Sequence, residues 1–292
     1  MNIIQISGGL GNQMFQYALA ESFIAKGMPV CFDATCYSST VQKLRELKID
    51  CFPNVKLNLA DKNALKTIRG YSHNDSLKER LRNRFGISKG KVYIENIDIG
   101  YQSDVYKCID TLICGYWQNE KYFSEIKNQI LDDYSFTSGM INCGGLDLSR
   151  INSLINNNNT VSVHIRRKDY LNKQNYEVYG GICTKEYYSK AVNTIREIYP
   201  EALFVIFTDD PEWVRNNVSI DNSILINDLY IGNEISDLYY MSICKNHIIA
   251  NSSFSWWGAW LGEKKNSIVI APSKWFNNHK QTEMIPDRWI RI

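Results

Sequence analysis

The sequence predicts an α/β protein built from two sets of parallel β-α-β units. Short apolar runs alternate along the 292 residues with longer stretches of helical periodicity. A strand followed by a helix favours a parallel sheet, because the crossover helix returns the chain to the edge at which the strand began. The length and the 44% hydrophobic content suffice for two domains of roughly 150 residues each.

Apolar runs predict the strands, and stretches of helical periodicity predict the helices. The strands are expected at residues 2–7, 29–33, 92–97, 111–115, 160–166, 203–208, 223–227, 247–250 and 267–271. The helices are expected at residues 12–26, 119–131, 184–199, 211–217, 234–245 and 252–261. Between the two sets, Gly144-Gly145 and the asparagines at 156–159 are typical of a linker or an exposed loop. We therefore place the boundary near residue 150, with domains at 1–150 and 151–292.

Charge and composition exclude several classes of protein. The 33 basic and 31 acidic residues leave a net charge of +2, which predicts no nucleic-acid partner. Eight scattered cysteines without a Cys-x-x-Cys spacing favour reduced thiols, and a cytosolic protein, over disulfides or zinc ligands. The N-terminus lacks the pattern of a signal sequence, and no apolar run approaches the ~18 residues that a membrane-spanning helix needs. Export by that route is not expected.

A local basic stretch lies between residues 66 and 91. It contains eight lysines and arginines against Asp75 and Glu79. Such a stretch is typical of a solvated helix face, and the alternative interpretation is a surface for an anionic membrane or an anionic acceptor.

A glycine-rich turn, GGLGNQM at residues 8–14, joins the first predicted strand to the first helix. Its three glycines let the backbone approach a ligand, and Asn12 and Gln13 offer neutral hydrogen bonds suited to hydroxyls or a leaving oxygen. The turn is not a dinucleotide fingerprint, because Met14 stands where the third glycine belongs. Asp33 is accordingly interpreted as a chance match to the ribose-binding acid of that fingerprint. A purely structural tight turn is the alternative.

The predicted strand at 160–166 ends in charged residues. Alternate strand residues share a face, so one face carries Val161, Val163 and Ile165 and the other carries Ser162, His164 and Arg166. Parallel strands are usually apolar on both faces, so a histidine and an arginine there need a partner. A guanidinium fork suits phosphate oxygens, which predicts an anionic ligand at this strand end. The alternative is that Arg166 and Arg167 pair with interior carboxylates such as Asp169.

Two aspartates follow the predicted strand at 203–208. Asp210 before Pro211 is typical of a helix cap followed by proline at the first helical position. Asp209 is then available to accept two hydrogen bonds from the edge of a guanine. The sequence contains no Asp-x-Asp pair, which disfavours a metal-bound sugar nucleotide.

A buried strand also leads into small hydroxyl residues that open an apolar helix, HIIANSSFSWWGAWL at 247–261. The free amides and the positive dipole end of such a helix favour an anion, and Ser252 and Ser253 can add hydroxyl donors. Asn251 or Ser252 is expected to cap the helix, and its three tryptophans are expected to fill the core. A cation, anion-binding amides and a base-reading carboxylate at neighbouring strand ends together predict a nucleoside diphosphate ligand.

Five ordered motifs resemble glycosyltransferase family 11, the α-1,2-fucosyltransferases. They are GGLGNQMFQYA, GYWQNEKYF at 115–123, HIRRKDY at 164–170, FTDDPEW at 207–213 and HIIANSSFSWWGAWL. The resemblance implies two Rossmann-like domains facing across a cleft, the GT-B type, with the donor held by the C-terminal domain. It also implies inverting transfer of L-fucose from GDP-β-L-fucose to O2 of a terminal galactose on an oligosaccharide acceptor. No metal and no cofactor are expected.

The resemblance implies roles for individual residues. His164 would contact the nucleoside and Arg166 the β-phosphate, with Arg167 supporting the site. Asp209 or Asp210 would bind guanine. Further donor contacts are expected from Asn251, Ser252, Ser253 and Phe254, and from Gly9, Gly11 and Asn12 across the cleft.

The predicted catalytic residues are Arg166, Asp169 and Asn12. Asp169 and Glu177 are alternative bases for the attacking hydroxyl, and a loose transition state would leave most of the rate to charge stabilisation by Arg166. Lys168 departs from the family pattern, which has glycine there, and this departure bears on the shape of the loop after the arginines.

The expected location is the cytoplasm, with peripheral contact at the inner membrane. Transfer from another GDP-sugar such as GDP-mannose, an inactive nucleotide- or glycan-binding module, and an NAD-dependent oxidoreductase are the competing hypotheses. The sugar beneath the galactose and the oligomeric state are left open.

Overall fold

The structure is a computed structural model that describes residues 1–38, 45–69, 91–141, 148–229, 232–279 and 283–292. The chain divides into two compact units, Met1–Ser135 and Phe136–Ile292. The boundary thus lies about fifteen residues before the position predicted from sequence. The predicted glycine linker at 144–145 falls outside the described residues, as do residues 70–90 of the basic stretch.

The first unit contains a four-stranded parallel sheet. Its strands are β1 Asn2–Gln5, β2 Val30–Asp33, β3 Val92–Ile94 and β4 Leu112–Cys114, in the order β2-β1-β4-β3. Its helices are α1 Leu10–Ala25, α2 Lys62–Arg69 and α3 Lys127–Asp133. The helix predicted at 119–131 begins late, because two 3₁₀ turns, Glu120–Tyr122 and Ser124–Ile126, precede α3.

A buried ion pair ties the end of β2 to the end of α2. Asp33 is 1% exposed and accepts hydrogen bonds from Arg69 and from both the amide and the hydroxyl of Thr35. This pairing agrees with the interpretation of Asp33 as a chance match to a ribose-binding acid. It also means that Arg69 is not part of a solvated basic face, whereas Lys66 and Lys91 are exposed.

Asp133, at the end of α3, is expected to make stability depend on pH. The residue is 9% exposed, its Oδ2 has no hydrogen-bond partner, and burial together with the charge of Glu21 raises its pKa from 3.8 to about 6. Because folding raises this pKa, the folded protein binds the proton more tightly than the unfolded chain does. The stabilisation of the fold by the proton on Asp133 is therefore complete below about pH 4 and is lost as pH rises through about 6.

Asp133→Asn should accordingly stabilise the protein by about 1–2 kcal/mol at pH 7.5 and flatten the dependence of Tm on pH between 4 and 7. Thermal unfolding at a series of pH values measures both effects. Asp50→Asn, at an exposed position of the same unit whose charge does not act on Asp133, is the matched control and should change neither. A lower Tm for Asp133→Asn at pH 7.5 would contradict the prediction.

The second unit contains a six-stranded parallel sheet. Its strands are β5 Thr160–Ile165, β6 Leu203–Thr208, β7 Ser223–Leu225, β8 Asn246–Ile248, β9 Val269–Ala271 and β10 Ile290–Arg291. Their order is β7-β6-β5-β8-β9-β10, so the chain winds outward from β5 in one direction and then from β8 in the other. This is a doubly wound Rossmann order, in which ligands bind at the carboxyl ends of the strands where the winding direction changes.

Helices cover both faces of this sheet. They are α4 Leu148–Asn157, α5 Lys173–Tyr179, α6 Lys185–Ile198, α7 Pro211–Asn217, α8 Glu234–Ile243 and α9 Ser253–Gly262. As predicted, Val161, Val163 and Ile165 share one apolar core, which includes Ala191 of α6. The opposite core contains Tyr240 of α8.

The prediction of a loop at the start of the second unit is wrong for residues 148–157. Residues 148–157 form α4, since Ile151 and Ile155 lie one helical turn apart and are both buried against β6 and α8. Apolar spacing therefore outweighs the low helix propensity of the asparagines, and only Asn158 and Asn159 of the four follow the helix.

The α/β class and the two parallel sheets are confirmed, as the expectation of two Rossmann-like domains requires. Of the helices that the structure describes, none combines the length and apolar character needed to traverse a bilayer.

Candidate functional site

Three loops meet at the carboxyl edge of the second sheet. They follow β5, β6 and β8, which are neighbours in the order β6-β5-β8, and they carry Arg166, Asp209 and Asn251 respectively. The sequence therefore predicts correctly that these polar residues collect at one edge. The winding direction changes between β5 and β8, so this edge is where a doubly wound sheet binds its ligand.

Arg166 is held by two carboxylates. Its Nε and Nη2 donate to Asp169 at 2.8 and 2.7 Å, and its Nε lies 3.3 Å from Asp209. The alternative of pairing with interior carboxylates is thus realised. Burial lowers the pKa of the guanidinium, but the hydrogen bond to Asp169 and the charge of Asp209 outweigh it, so that the pKa is raised.

The carboxylates leave part of the guanidinium available. A guanidinium has donors on three nitrogens, and Nη1 of Arg166 makes no hydrogen bond or ion pair with any described residue. The side chain is 23% exposed. Arg166 is therefore a permanently charged, oriented donor at the strand end, with one nitrogen free for an anion.

The two aspartates after β6 also orient the arginines. Asp209 accepts from the amide of Arg167 at 2.9 Å, and Asp210 accepts from Nε of Arg167 at 3.1 Å. Asp210 caps α7 through the amide of Trp213, with Pro211 at the first position, and both features are confirmed. Asp209 is engaged, contrary to what the sequence suggested, because it contacts both arginines. Guanine binding by either aspartate stays a prediction.

His164 is a neutral, buried polar group. It is 4% exposed, its Nδ1 has no hydrogen-bond partner, and its ring lies 5.7 Å from that of Phe254. Burial and the nearby charge of Arg166 lower its pKa to about 3. The imidazole is therefore uncharged at neutral pH, where it can still form a hydrogen bond but lacks the second proton that a general acid would donate.

The start of α9 has the features of an anion site. Ser252 is the N-cap residue, yet its side chain makes no capping hydrogen bond, contrary to the expectation. Ser255 instead accepts from the amide of Ala250 at 3.0 Å. Because no side chain of the described residues caps the helix, its first amides can donate to an anion. The three tryptophans Trp256, Trp257 and Trp260 are buried, as predicted.

The side chain of Asn251 makes three hydrogen bonds within the second unit. Its side chain is 2% exposed and donates to the carbonyls of Tyr179 and Trp275 at 3.2 and 3.1 Å, while its Oδ1 accepts from Cys183. A buried amide needs these partners, so the side chain fixes two loops. Asn251 also lines a cavity beside the arginines, and its expected contact with the donor stays a prediction.

The two candidate bases differ in their surroundings. Asp169 is engaged by Arg166, which it holds in a fork-to-fork pair, whereas Glu177 lies exposed on α5. Lys168 is exposed and begins a 3₁₀ turn, Lys168–Leu171, so the lysine in place of glycine is accommodated without a left-handed backbone.

A cavity of about 220 Å³ opens beside the two arginines. Aromatic side chains supply much of its wall, namely Tyr170, Tyr176, Tyr179, Tyr188 and Trp213. The guanidinium of Arg167 lies 4.2 Å from the ring centre of Trp213. Sequence reasoning missed these tyrosines, although the density of tyrosine between residues 170 and 188 is a signal that could have indicated them.

The glycine-rich turn of the first unit is partly structural. Gly8 has φ +82°, and a Cβ on it would lie 2.7 Å from Nδ2 of Asn12. Gly9 is the N-cap of α1, and Gly11 lies inside the first turn of that helix. Only Gly8 therefore requires glycine for its own conformation, as the tight-turn alternative predicts.

The two amides after the turn have separate roles. Oδ1 of Asn12 accepts from Gln118 at 2.6 Å. Gln13 is fully buried; it donates to Gly8 and Glu46 and accepts from the amides of Lys48 and Ile49. Gln13 is thus a structural residue, and the expectation that it faces a ligand is wrong.

The described ranges contain no group of three or more His, Cys, Asp or Glu side chains arranged to hold a metal ion. The seven cysteines of those ranges are free thiols. Cys143 falls outside the described residues.

The family model described as Glycosyl transferase family 11 matches residues 1–292. The chain is 33% identical to an alpha-1,2-colitosyltransferase of Escherichia coli, over 99% of this chain and 98% of the relative. It is 29% identical to the O-antigen biosynthesis glycosyltransferase WbnK of Escherichia coli, over 98% and 99%. A galactoside 2-alpha-L-fucosyltransferase Sec1 of Mus musculus is 22% identical, over 89% of this chain and 64% of the relative. The chain therefore belongs to glycosyl transferase family 11.

Proposed function

We propose that the protein transfers L-fucose from GDP-β-L-fucose to O2 of a terminal galactose, with inversion and without a metal ion. The observation that carries the proposal is that Arg166 and the uncapped start of α9 follow neighbouring strands, β5 and β8, at the winding reversal of the second sheet. Both features supply fixed positive potential at one place. A departing nucleoside diphosphate needs such potential in the transition state.

The chemistry follows from these groups. As the bond between C1 of the sugar and the β-phosphate oxygen breaks, negative charge grows on that oxygen, and Nη1 of Arg166 and the first amides of α9 neutralise it. Asp169 and Asp209 keep the guanidinium in place, so little reorganisation is needed when the charge develops. The acceptor hydroxyl attacks C1 from the opposite face, which converts a β-linked donor into an α-linked product. Its proton passes to a base or to solvent.

Colitose is the second candidate for the transferred sugar. The relative named as an alpha-1,2-colitosyltransferase is 33% identical over nearly the whole of both chains, which supports the same linkage with a different sugar. The deciding experiment offers purified protein GDP-fucose, GDP-mannose and nucleotide-activated colitose with a terminal galactoside. Mass spectrometry and linkage analysis of the product identify the sugar and the bond. No transfer from any of the three donors would contradict the proposal.

We further propose that the reaction takes place in the cytoplasm, on a glycan precursor at the inner membrane. The name of the relative WbnK, which refers to O-antigen biosynthesis, supports this location.

Full transfer activity is expected in the presence of excess EDTA, within a factor of two of the untreated rate. Arginine and helix amides supply the positive charge that a divalent ion supplies in other transferases, so chelation removes nothing that the reaction needs. The measurement is the initial rate of product formation after dialysis against EDTA. Loss of activity that magnesium or manganese restores would show that the charge is supplied in another way.

A further inference from the structure

We propose that Glu95 binds a hydroxyl group of the sugar acceptor; this inference rests on the proposed function. Glu95 directly follows β3 and so lies at the carboxyl edge of the sheet in the first unit. It belongs to none of the motifs described above. Carboxylates are the acceptors that most strongly bind sugar hydroxyls, because a hydrogen bond to a charged oxygen exceeds one to a neutral oxygen.

One oxygen of Glu95 is fixed and the other is open. Oε2 accepts from the consecutive amides of Tyr116 and Trp117 at 2.7 and 3.0 Å. Oε1 accepts no hydrogen bond from any residue that the structure describes, and it is not completely buried. The carboxylate is therefore oriented by the main chain while Oε1 remains accessible to a ligand.

The backbone after β4 is specialised around this carboxylate. A Cβ on Gly115 would lie 2.4 Å from Cβ of Glu95 and 2.7 Å from its Oε2, so only glycine allows the approach. Trp117 is completely buried yet has φ +56°, and its indole N–H has no hydrogen-bond partner. A bulky residue in the left-handed region is strained; such strain persists only where the surrounding structure enforces it, and strained residues cluster at functional sites.

Neighbouring groups at the same edge suit a sugar. Tyr116, whose amide binds Glu95, is 37% exposed, and its side chain can pack against the apolar face of a ring. Gln118 follows Trp117 and donates to Asn12, which lies in the first turn of α1 after β1. Glu95, Gln118 and Asn12 thus follow three strands that are adjacent in the sheet, β3, β4 and β1.

Glu95→Gln tests the proposal because it keeps the size of the side chain and removes its charge. We expect KM for the galactoside acceptor to rise about tenfold or more, while KM for the donor and the slow hydrolysis of the donor stay within twofold. A purely structural role of Glu95 would instead lower Tm and change both KM values together. Glu125→Gln is the matched control, since Glu125 is an exposed carboxylate of the same unit that pairs with Lys26.

A double-mutant cycle provides the second measurement. The acceptor and analogues of it that each lack one hydroxyl are titrated by NMR against the wild type and against Glu95→Gln, in the absence of donor. We expect one analogue to bind the wild type about tenfold more weakly than the parent sugar does. The same analogue and the parent sugar should bind Glu95→Gln with equal affinity. If Glu95→Gln fails to fold, Glu95→Asp, which keeps the charge and withdraws the oxygens, takes its place in the cycle.

The outcomes separate this inference from the proposed function. Equal losses for every analogue in both proteins, or an unchanged acceptor KM in Glu95→Gln, would overturn the role of Glu95 while transfer by the wild type stands. Failure of the wild type to transfer any sugar would overturn the proposed function. The NMR titration would then still decide whether Glu95 binds a sugar hydroxyl.

Discussion

Arg166→Lys is expected to lower turnover at least ~100-fold and to leave the protein folded. Lysine keeps the charge but lacks the planar fork that holds Asp169 and Asp209 on one side and leaves Nη1 for a phosphate on the other. Losing one donor to an oxygen that becomes charged in the transition state costs about 2.7–4 kcal/mol. Arg166→Ala should be at least as impaired. Initial rates at saturating donor and acceptor give the effect on kcat.

Arg215→Lys is the matched control for this variant. Arg215 lies in the second unit, pairs with Asp228 and is half exposed, so the same exchange there should leave turnover unchanged. Circular dichroism and Tm establish that Arg166→Lys is folded, which matters because the exchange also disturbs the contacts to two carboxylates. Near-normal turnover by a folded Arg166→Lys would remove Arg166 from the reaction.

Arg69→Met is expected to destabilise the first unit by about 3–5 kcal/mol, since it leaves the carboxylate of Asp33 buried without its charged partner. Urea unfolding, followed by tryptophan fluorescence, measures the loss. Replacing both partners, as in Asp33→Asn with Arg69→Met, should recover a large part of it because no unpaired charge is then buried.

The exposed pair between Lys26 and Glu125 supplies the comparison for this experiment. Lys26→Met should change the free energy of unfolding by less than about 1 kcal/mol, as is usual for ion pairs in contact with water. A loss below 1 kcal/mol for Arg69→Met as well would mean that the buried pair does not stabilise the unit.

Much of the second unit could be predicted from local sequence. The strand at 203–208 and the helix at 211–217 have the predicted bounds, because an apolar run, an N-cap aspartate and a proline mark where each begins and ends. Helix α4 was missed because its asparagines suggest a loop, although its apolar spacing is helical. Strand β10 has two residues, too few for any periodicity to show.

The candidate site could be predicted as a set of residues but not as a set of contacts. Strand alternation and the carboxyl-edge rule indicate that His164 and Arg166 lie together near Asp209. The partners of each side chain depend on contacts between distant residues, such as Asp209 with the amide of Arg167, 42 residues away in the chain. The inward amide of Asn251 has no local signal for the same reason.

Glu95 shows the limit of motif-based reasoning most clearly. It follows a three-residue strand, and the amides that bind it come 21 and 22 residues later, beyond a second strand. No periodicity or spacing connects these positions in the sequence. Only the sheet order, which places β3 beside β4, brings them together.

A crystal structure of the protein with bound GDP tests the donor site most directly. We predict that oxygens of the β-phosphate lie within ~3.2 Å of the guanidinium of Arg166 and of the amides of Ser253 and Phe254, with no metal ion between them. A nucleotide bound to the second unit away from β5 and α9, or bound through a metal ion, would contradict the proposed donor site.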